Sequence, residues 1–140
     1  MEPNFFDGDY VVLNTILPKI SQIDRGDVIG FYNVRERYNP HKKVLFKRVY
    51  GLPGEIIMVA KNNVYILDKY GVAYLVQSDY SLKLSELDFL DRVGTTVLGK
   101  EDYFVLGDNR DVSEDSRKFG TVQPSEMIGV LSFTHKKTFK

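Results

Sequence analysis

Short apolar runs separated by turn signals make up most of this chain. Tyr10-Val11-Val12-Leu13, Asp27 to Tyr32, Val44 to Val49, Ile56 to Val59, Asn63 to Leu67, Tyr103 to Leu106 and Met127 to Phe133 are rich in β-branched and aromatic residues, which suit a pleated, half-buried surface. Gly8-Asp9, Gly26-Asp27, Gly51 to Gly54, Asp68 to Gly71 and Gly107-Asp108-Asn109 punctuate these runs with residues that favour turns. The pattern predicts a β-dominated fold. Helical signals occur at two places. Ser85 is a cap-type residue that would open a short helix through Val93, and Pro124-Ser125-Glu126 would make a single turn before the last strand.

The stretch from about Asn62 to Lys100 holds the first of these helical signals and a looser apolar pattern. We therefore expect residues 1–61 and 101–140 to form the core and residues 62–100 an inserted minor subdomain. There is no internal repeat and no low-complexity tract.

Composition narrows the function classes. With 140 residues, 43% of them hydrophobic, the chain is long enough for one compact domain with a true core. Nineteen basic residues balance nineteen acidic ones, so no overall field draws the chain to nucleic acid or an anionic surface. Basic residues also do not interleave with aromatics along one strand, which argues against a small β-barrel nucleic-acid module. There is no cysteine, and His41 and His135 are far apart with no ligand spacing. The sequence thus suggests no metal site and no disulfide. The longest apolar runs, such as Ile56 to Ala60, are far short of the roughly 20 residues of a membrane helix.

Two dense polar stretches carry the candidate chemistry. Lys47 to Glu55 reads KRVYGLPGE and follows the strand-like KKVLF; Gly107 to Gly120 reads GDNRDVSEDSRKFG and follows the apolar Tyr103 to Leu106. Taken alone, the second is a solvated turn. Its place at the exit of a strand is where sites are commonly built. If the two strand ends meet, Lys47 and Ser113 form a chemical pair, because desolvation lowers a lysine pKa and a neutral amine within reach of a hydroxyl is a general base. Arg48 points to the opposite face of the strand from Lys47. Asp115 and Arg117 are placed to pair with Arg48 or with each other, as a clamp on the serine-bearing loop. Gly51 and Gly54 permit positive φ and Pro53 fixes its own, so the exit after Lys47 is expected to be stiff.

Together these blocks resemble the type I signal peptidases, membrane-bound serine proteases with a Ser-Lys dyad. KRVYGLPGE is similar to the family's lysine box, with Glu55 in place of the usual Asp. GDNRDVSEDSRKFG is similar to its terminal box, Arg25 to Phe31 (RGDVIGF) to the strand between, and Met1 to Asn14 to the segment after the nucleophile. The resemblance implies mixed or antiparallel sheets of the signal-peptidase type, with Lys47 as general base and Ser113 as its orienting hydroxyl. Arg48, Asp115 and Arg117 would be a structural clamp, with Met1, Pro3 and Gly107 forming the backbone of the site. It implies no cofactor and no metal. Its substrates would be the signal peptides of exported preproteins, bound extended beside an edge strand and cut after small residues. The site would lie on the extracytoplasmic face of a cell membrane, reached through an N-terminal anchor.

In the family the nucleophilic serine immediately precedes the Met-x-Pro that is here Met1-Glu2-Pro3. The nucleophile is therefore expected to lie just upstream of these residues, leaving the 140 residues inactive by themselves. Ser21, Ser78, Ser81, Ser85, Ser116, Ser125 and Ser132 occupy no matching position. Three rival readings stand beside this one: a non-catalytic relative acting as an assembly or binding factor, a self-cleaving repressor-type Ser-Lys protease, and the nucleic-acid module. The first conflicts with the presence of both Lys47 and Ser113, and the second with the long GDNR-to-FG box. Phe5 and Phe6 are adjacent aromatics near the expected anchor, and strand alternation would send one to lipid and the other to the core.

Overall fold

The computed structural model describes residues 1, 4–6, 9–16, 23–32, 43–60, 63–67, 70, 72–76, 81–83 and 92–135. Among the described residues, ten strands form two five-stranded sheets in which every named pairing is antiparallel.

The first sheet contains β1 (Tyr10–Asn14), β2 (Val28–Tyr32), β3 (Val44–Gly51), β9 (Phe104–Leu106) and β10 (Met127–His135), in the order β1-β10-β2-β3-β9. The alternation in β1 gives exposed Tyr10 and Val12 beside half-buried Val11 and Leu13, as expected of a strand with one face to solvent. β2 is buried from Val28 to Phe31, because it lies between β10 and β3. The second sheet contains β4 (Ile56–Ala60), β5 (Asn63–Leu67), β6 (Val72–Leu75), β7 (Ser81–Lys83) and β8 (Arg92–Val97), in the order β7-β6-β5-β4-β8.

The division expected near residue 62 falls between β4 and β5, which pair with each other over their full length. β4 thus shares a sheet with strands of the segment that follows it, and β8 flanks it on its other side. The helix expected from Ser85 lies outside the described residues up to 91. Its last two positions, Arg92 and Val93, are strand, because pairing with β4 draws them into the sheet. The turn expected at Pro124 to Glu126 is a 3₁₀ turn leading into β10.

Three apolar clusters hold the sheets. Ile29, Phe31, Val49, Val105 and Val130 pack one face of the first sheet with Ile23 and Val122. Tyr50, Phe104 and Leu106 of the first sheet join Ile57 and Val64 of the second, with Leu98, in the cluster that joins the two sheets. Met58, Ala60, Tyr65 and Ala73 pack the far side of the second. β9 is fully buried although it is an edge strand, because these first two clusters cover its two faces. Its outer backbone donors are satisfied by side chains: Val105 N–H donates to Ser116 Oγ at 2.9 Å, and Gly107 N–H to Asp115 Oδ2 at 3.1 Å. The segment that ends in helix α1 (Ser116–Phe119) thus closes an edge that would otherwise be open to pairing.

Candidate active site

Lys47 lies on β3 opposite Ile29 of β2. On its other side Arg48 pairs with Leu106, so the next step of the ladder brings Lys47 beside Gly107 at the exit of β9. Strand parity puts Lys47 on the face of Leu45 and Val49, both packed in the first core cluster. The amine is half-buried, and its pKa is lowered from the ordinary lysine value. Desolvation by burial is the main cause, assisted by the Arg117 charge and opposed by the carboxylates of Asp115, Glu114 and Asp108. The balance increases the share of neutral amine near neutral pH.

Ser113 is brought to Lys47 by a missing β-carbon. A Cβ on Gly107 would sit 2.1 Å from Ser113 Oγ and 3.5 Å from Lys47 Nζ, so both functional atoms converge on the space that glycine leaves open. The Ser113 hydroxyl helps to hold the Asp115 carboxylate ionised, but no partner stands at hydrogen-bond geometry. Its Oγ is the one buried side-chain polar atom among the described residues with no such bond. A buried hydroxyl in that state is costly unless something arrives to use it.

The charged residues sort by strand face. Asp115 is wholly buried and pairs with Arg117, Nε to Oδ1 at 2.8 Å and Nη2 to Oδ2 at 2.9 Å. Burial alone would raise its pKa, but Arg117 and the Gly107 N–H outweigh this and hold it below the usual carboxylate value. Arg48, on the opposite face from Lys47, takes neither of these partners. It grips Asp108, Nε to Oδ1 at 2.9 Å and Nη2 to Oδ2 at 2.8 Å, and donates to Gly26 O at 2.8 Å. Burial would raise the Asp108 pKa, yet the bonds from Arg48 and Asn4 lower it. The clamp therefore consists of two separate fork-shaped pairs, one on each side of the sheet.

Asp108 was missing from the sequence-based candidates. Leu106 pairs with Arg48, and Asp108, two residues on, falls on the same face; only the register of β3 with β9 makes that parity visible. Glu55, the departure from the usual Asp, accepts from Leu52 N–H at 2.8 Å and from Arg25 at 2.5 and 3.1 Å. Arg25 also donates to the Tyr50 carbonyl. Of the glycines expected to shape this exit, Gly54 has a φ of 83° and Gly51 does not have a positive φ. Gly51 is required by packing instead, since its Cβ would meet Ile57, Leu98 and Phe104 at 2.8 Å.

Met1 and Lys47 line one cleft of about 610 Å³, together with Phe46, Asn109 and Val112. The first residues form a turn in which Asn4 and Phe5 N–H donate to Met1 O, and Asn4 Nδ2 donates to Asp108 Oδ2 at 2.7 Å. The N-terminal segment is thereby pinned to the loop after β9. Pro3 lies outside the described residues. Phe5, half-buried, and Phe6, 51% exposed, both line the cleft. Among the described residues no cluster of three or more His, Asp or Glu side chains is arranged to hold a metal ion, and no helix is long and apolar enough to cross a membrane.

Comparison with known proteins identifies relatives. The family model described as signal peptidase, peptidase S26, matches residues 1–136. The chain is 34% identical to signal peptidase I V of Bacillus subtilis, over 94% of this chain and 78% of that protein. It is 32% identical to signal peptidase IB of Staphylococcus aureus, over 95% of this chain and 71% of that one. Its fold is similar to the crystal structure of a signal peptidase I from Enterococcus faecalis, with a TM-score of 0.54 and 28% identity, over 81% of this chain and all of that one.

Proposed function

The chain belongs to the signal peptidase family, peptidase S26, and from that premise we propose that it removes signal peptides from exported preproteins with Lys47 as general base. The observation that carries this reading is the convergence of Lys47 Nζ and the unpartnered Ser113 Oγ on the space left by Gly107.

The nucleophile in this reading is a serine at the position preceding Met1, where the family motif carries it. Met1 lines the same cleft as Lys47, which supports placing that serine within the site. Neutral Lys47 takes the serine proton, and the alkoxide attacks the scissile carbonyl to give an acyl-enzyme. Donors along the cleft stabilise the oxyanion. The ammonium formed on Lys47 returns its proton to the leaving amine; water, deprotonated by the same lysine, then hydrolyses the ester. Ser113 orients the amine through its hydroxyl, and the two fork-shaped pairs hold the loop that carries it. The reaction takes place on the extracytoplasmic face of the cell membrane.

The test is cleavage of a signal-peptide-bearing preprotein by the protein with its native residues before Met1, beside its Lys47→Ala variant. Processing by the first and not the second supports the dyad. No processing by either, with both folded, favours a non-catalytic assembly factor.

A further inference from the structure

Ser113 Oγ makes no hydrogen bond of its own, so its position is set by the backbone that carries it. That backbone is a turn closed by Ser113 N–H donating to Asn109 O at 3.1 Å. Two of the contacts that hold the turn fall on Arg110. Arg117 Nη2 donates to the Arg110 carbonyl at 2.6 Å, and the Arg110 guanidinium lies over the Tyr50 ring, 4.3 Å from its centroid. Tyr50 is buried in the cluster that joins the two sheets, and it stands three residues after Lys47 on β3. It is a rigid seat on the same strand as the base.

Resting on the Ser-Lys reading above, we propose that Arg110 is a positioning residue that sets Ser113 against Lys47, with the Tyr50 ring as its seat. Both members of the pair are then referred to one strand, Lys47 by its own backbone and Ser113 through Arg110. The second sheet supports the seat through Val64, which packs with Tyr50 in the joining cluster, and a small pocket of about 250 Å³ lies among Asn63, Val64, Leu75, Val76, Tyr50 and Arg110. A guanidinium over an aromatic face is held by the ring quadrupole and keeps its planar orientation, which an aliphatic contact would not impose. The lysine box thus contributes twice, through Lys47 and, three residues on, through Tyr50. A misplacement on the order of 1 Å of a group that orients the base costs about 10²-fold in rate.

The chief charges acting on Lys47 are Asp115, Glu114, Arg117 and Asp108 of the loop, with Asp9 lining the same cleft; Ile29, its neighbour on β2, brings none. Replacing Arg110 removes none of these charges, so a change in the titration of Lys47 reports movement of the turn.

The experiment uses the protein with its native upstream residues and compares Arg110→Ala, Arg110→Gln, Arg110→Lys and Tyr50→Phe, with Lys47→Ala as control. For Arg110→Ala and Arg110→Gln the expected result is a fall in kcat of about 10- to 100-fold with KM within about twofold. The acid limb of the rate profile moves to higher pH as water reaches Lys47. Arg110→Lys keeps a cation over the ring without the planar stack and recovers part of kcat, and Tyr50→Phe, which keeps the aromatic face, loses less kcat than Arg110→Ala. An acid limb unmoved in both Arg110→Ala and Arg110→Gln overturns the proposal, whether kcat falls or not. If Arg110→Ala fails to fold, Arg110→Gln, which keeps the stem, decides by the same readout. Full activity in Lys47→Ala overturns the Ser-Lys reading itself, independently of what Arg110 does.

Discussion

Gly107 stands beside Lys47 at the exit of the neighbouring strand, and the β-carbon it lacks would sit 2.1 Å from Ser113 Oγ and 2.6 Å from Ser113 Cβ. Gly107→Ala must therefore push the serine-bearing turn away from β3. With the native upstream residues present, kcat should fall by about 10²-fold. The overpacking should cost about 1–3 kcal/mol in urea unfolding. Wild-type kcat in this variant would mean that Ser113 does not need its observed place.

The depressed Lys47 pKa gives a signed expectation for activity. The base must be neutral, so kcat/KM should rise through an acid limb whose midpoint lies below the ordinary lysine range, since burial disfavours the ammonium. Ser113→Ala should lower kcat and leave the fold intact. A limb at the free-lysine value would show that Lys47 is solvated in the working enzyme.

The Arg48 and Asp108 pair should behave as a unit. Removing either partner leaves a partly buried group without its fork-shaped contact, at a cost of about 1–3 kcal/mol. Arg48→Ala and Asp108→Ala measured singly and together should give a coupling energy of about 0.5–3 kcal/mol. Additive effects would reduce the pair to a solvated contact.

Asp115 makes stability fall on the acid side. Its folded pKa lies below its unfolded value, so in the acid range the unfolded chain binds more protons than the native one. The stability it contributes is present above the unfolded carboxylate pKa and is lost as pH falls through the folded value. Denaturant midpoints measured downward from neutral pH should show this slope, and Asp115→Asn should flatten it. An unchanged slope would shift the effect to Asp108, whose pKa is lowered in the same direction.

The strands legible in the sequence are those whose apolar run is unbroken, such as Tyr10 to Leu13 and Val64 to Leu67. The two sheets they enter are antiparallel, as the resemblance to signal peptidases allowed. β6, β7 and β8 escaped notice for a physical reason: Val72–Leu75 and Ser81–Lys83 are short, and Arg92–Val97 is RVGTTV, with a glycine inside and an arginine at its start. Their pairing with β5, β6 and β4, rather than local preference, makes them strands. The same limit applied at the site. Lys47, Ser113, Asp115 and Arg117 stand out as candidates in their motifs, whereas the partner of Arg48 depends on a ladder register that no local pattern encodes.

The outer edge of β9 is closed by Ser116 Oγ and Asp115 Oδ2, not by another strand. The amides of Val105 and Gly107 consequently depend on the loop that carries Ser113. Lifting of that loop would expose these two N–H groups to water and leave the β2 to β3 ladder paired. Their hydrogen-exchange rates are thus an internal clock for opening of the candidate site, readable in the absence of substrate and turnover.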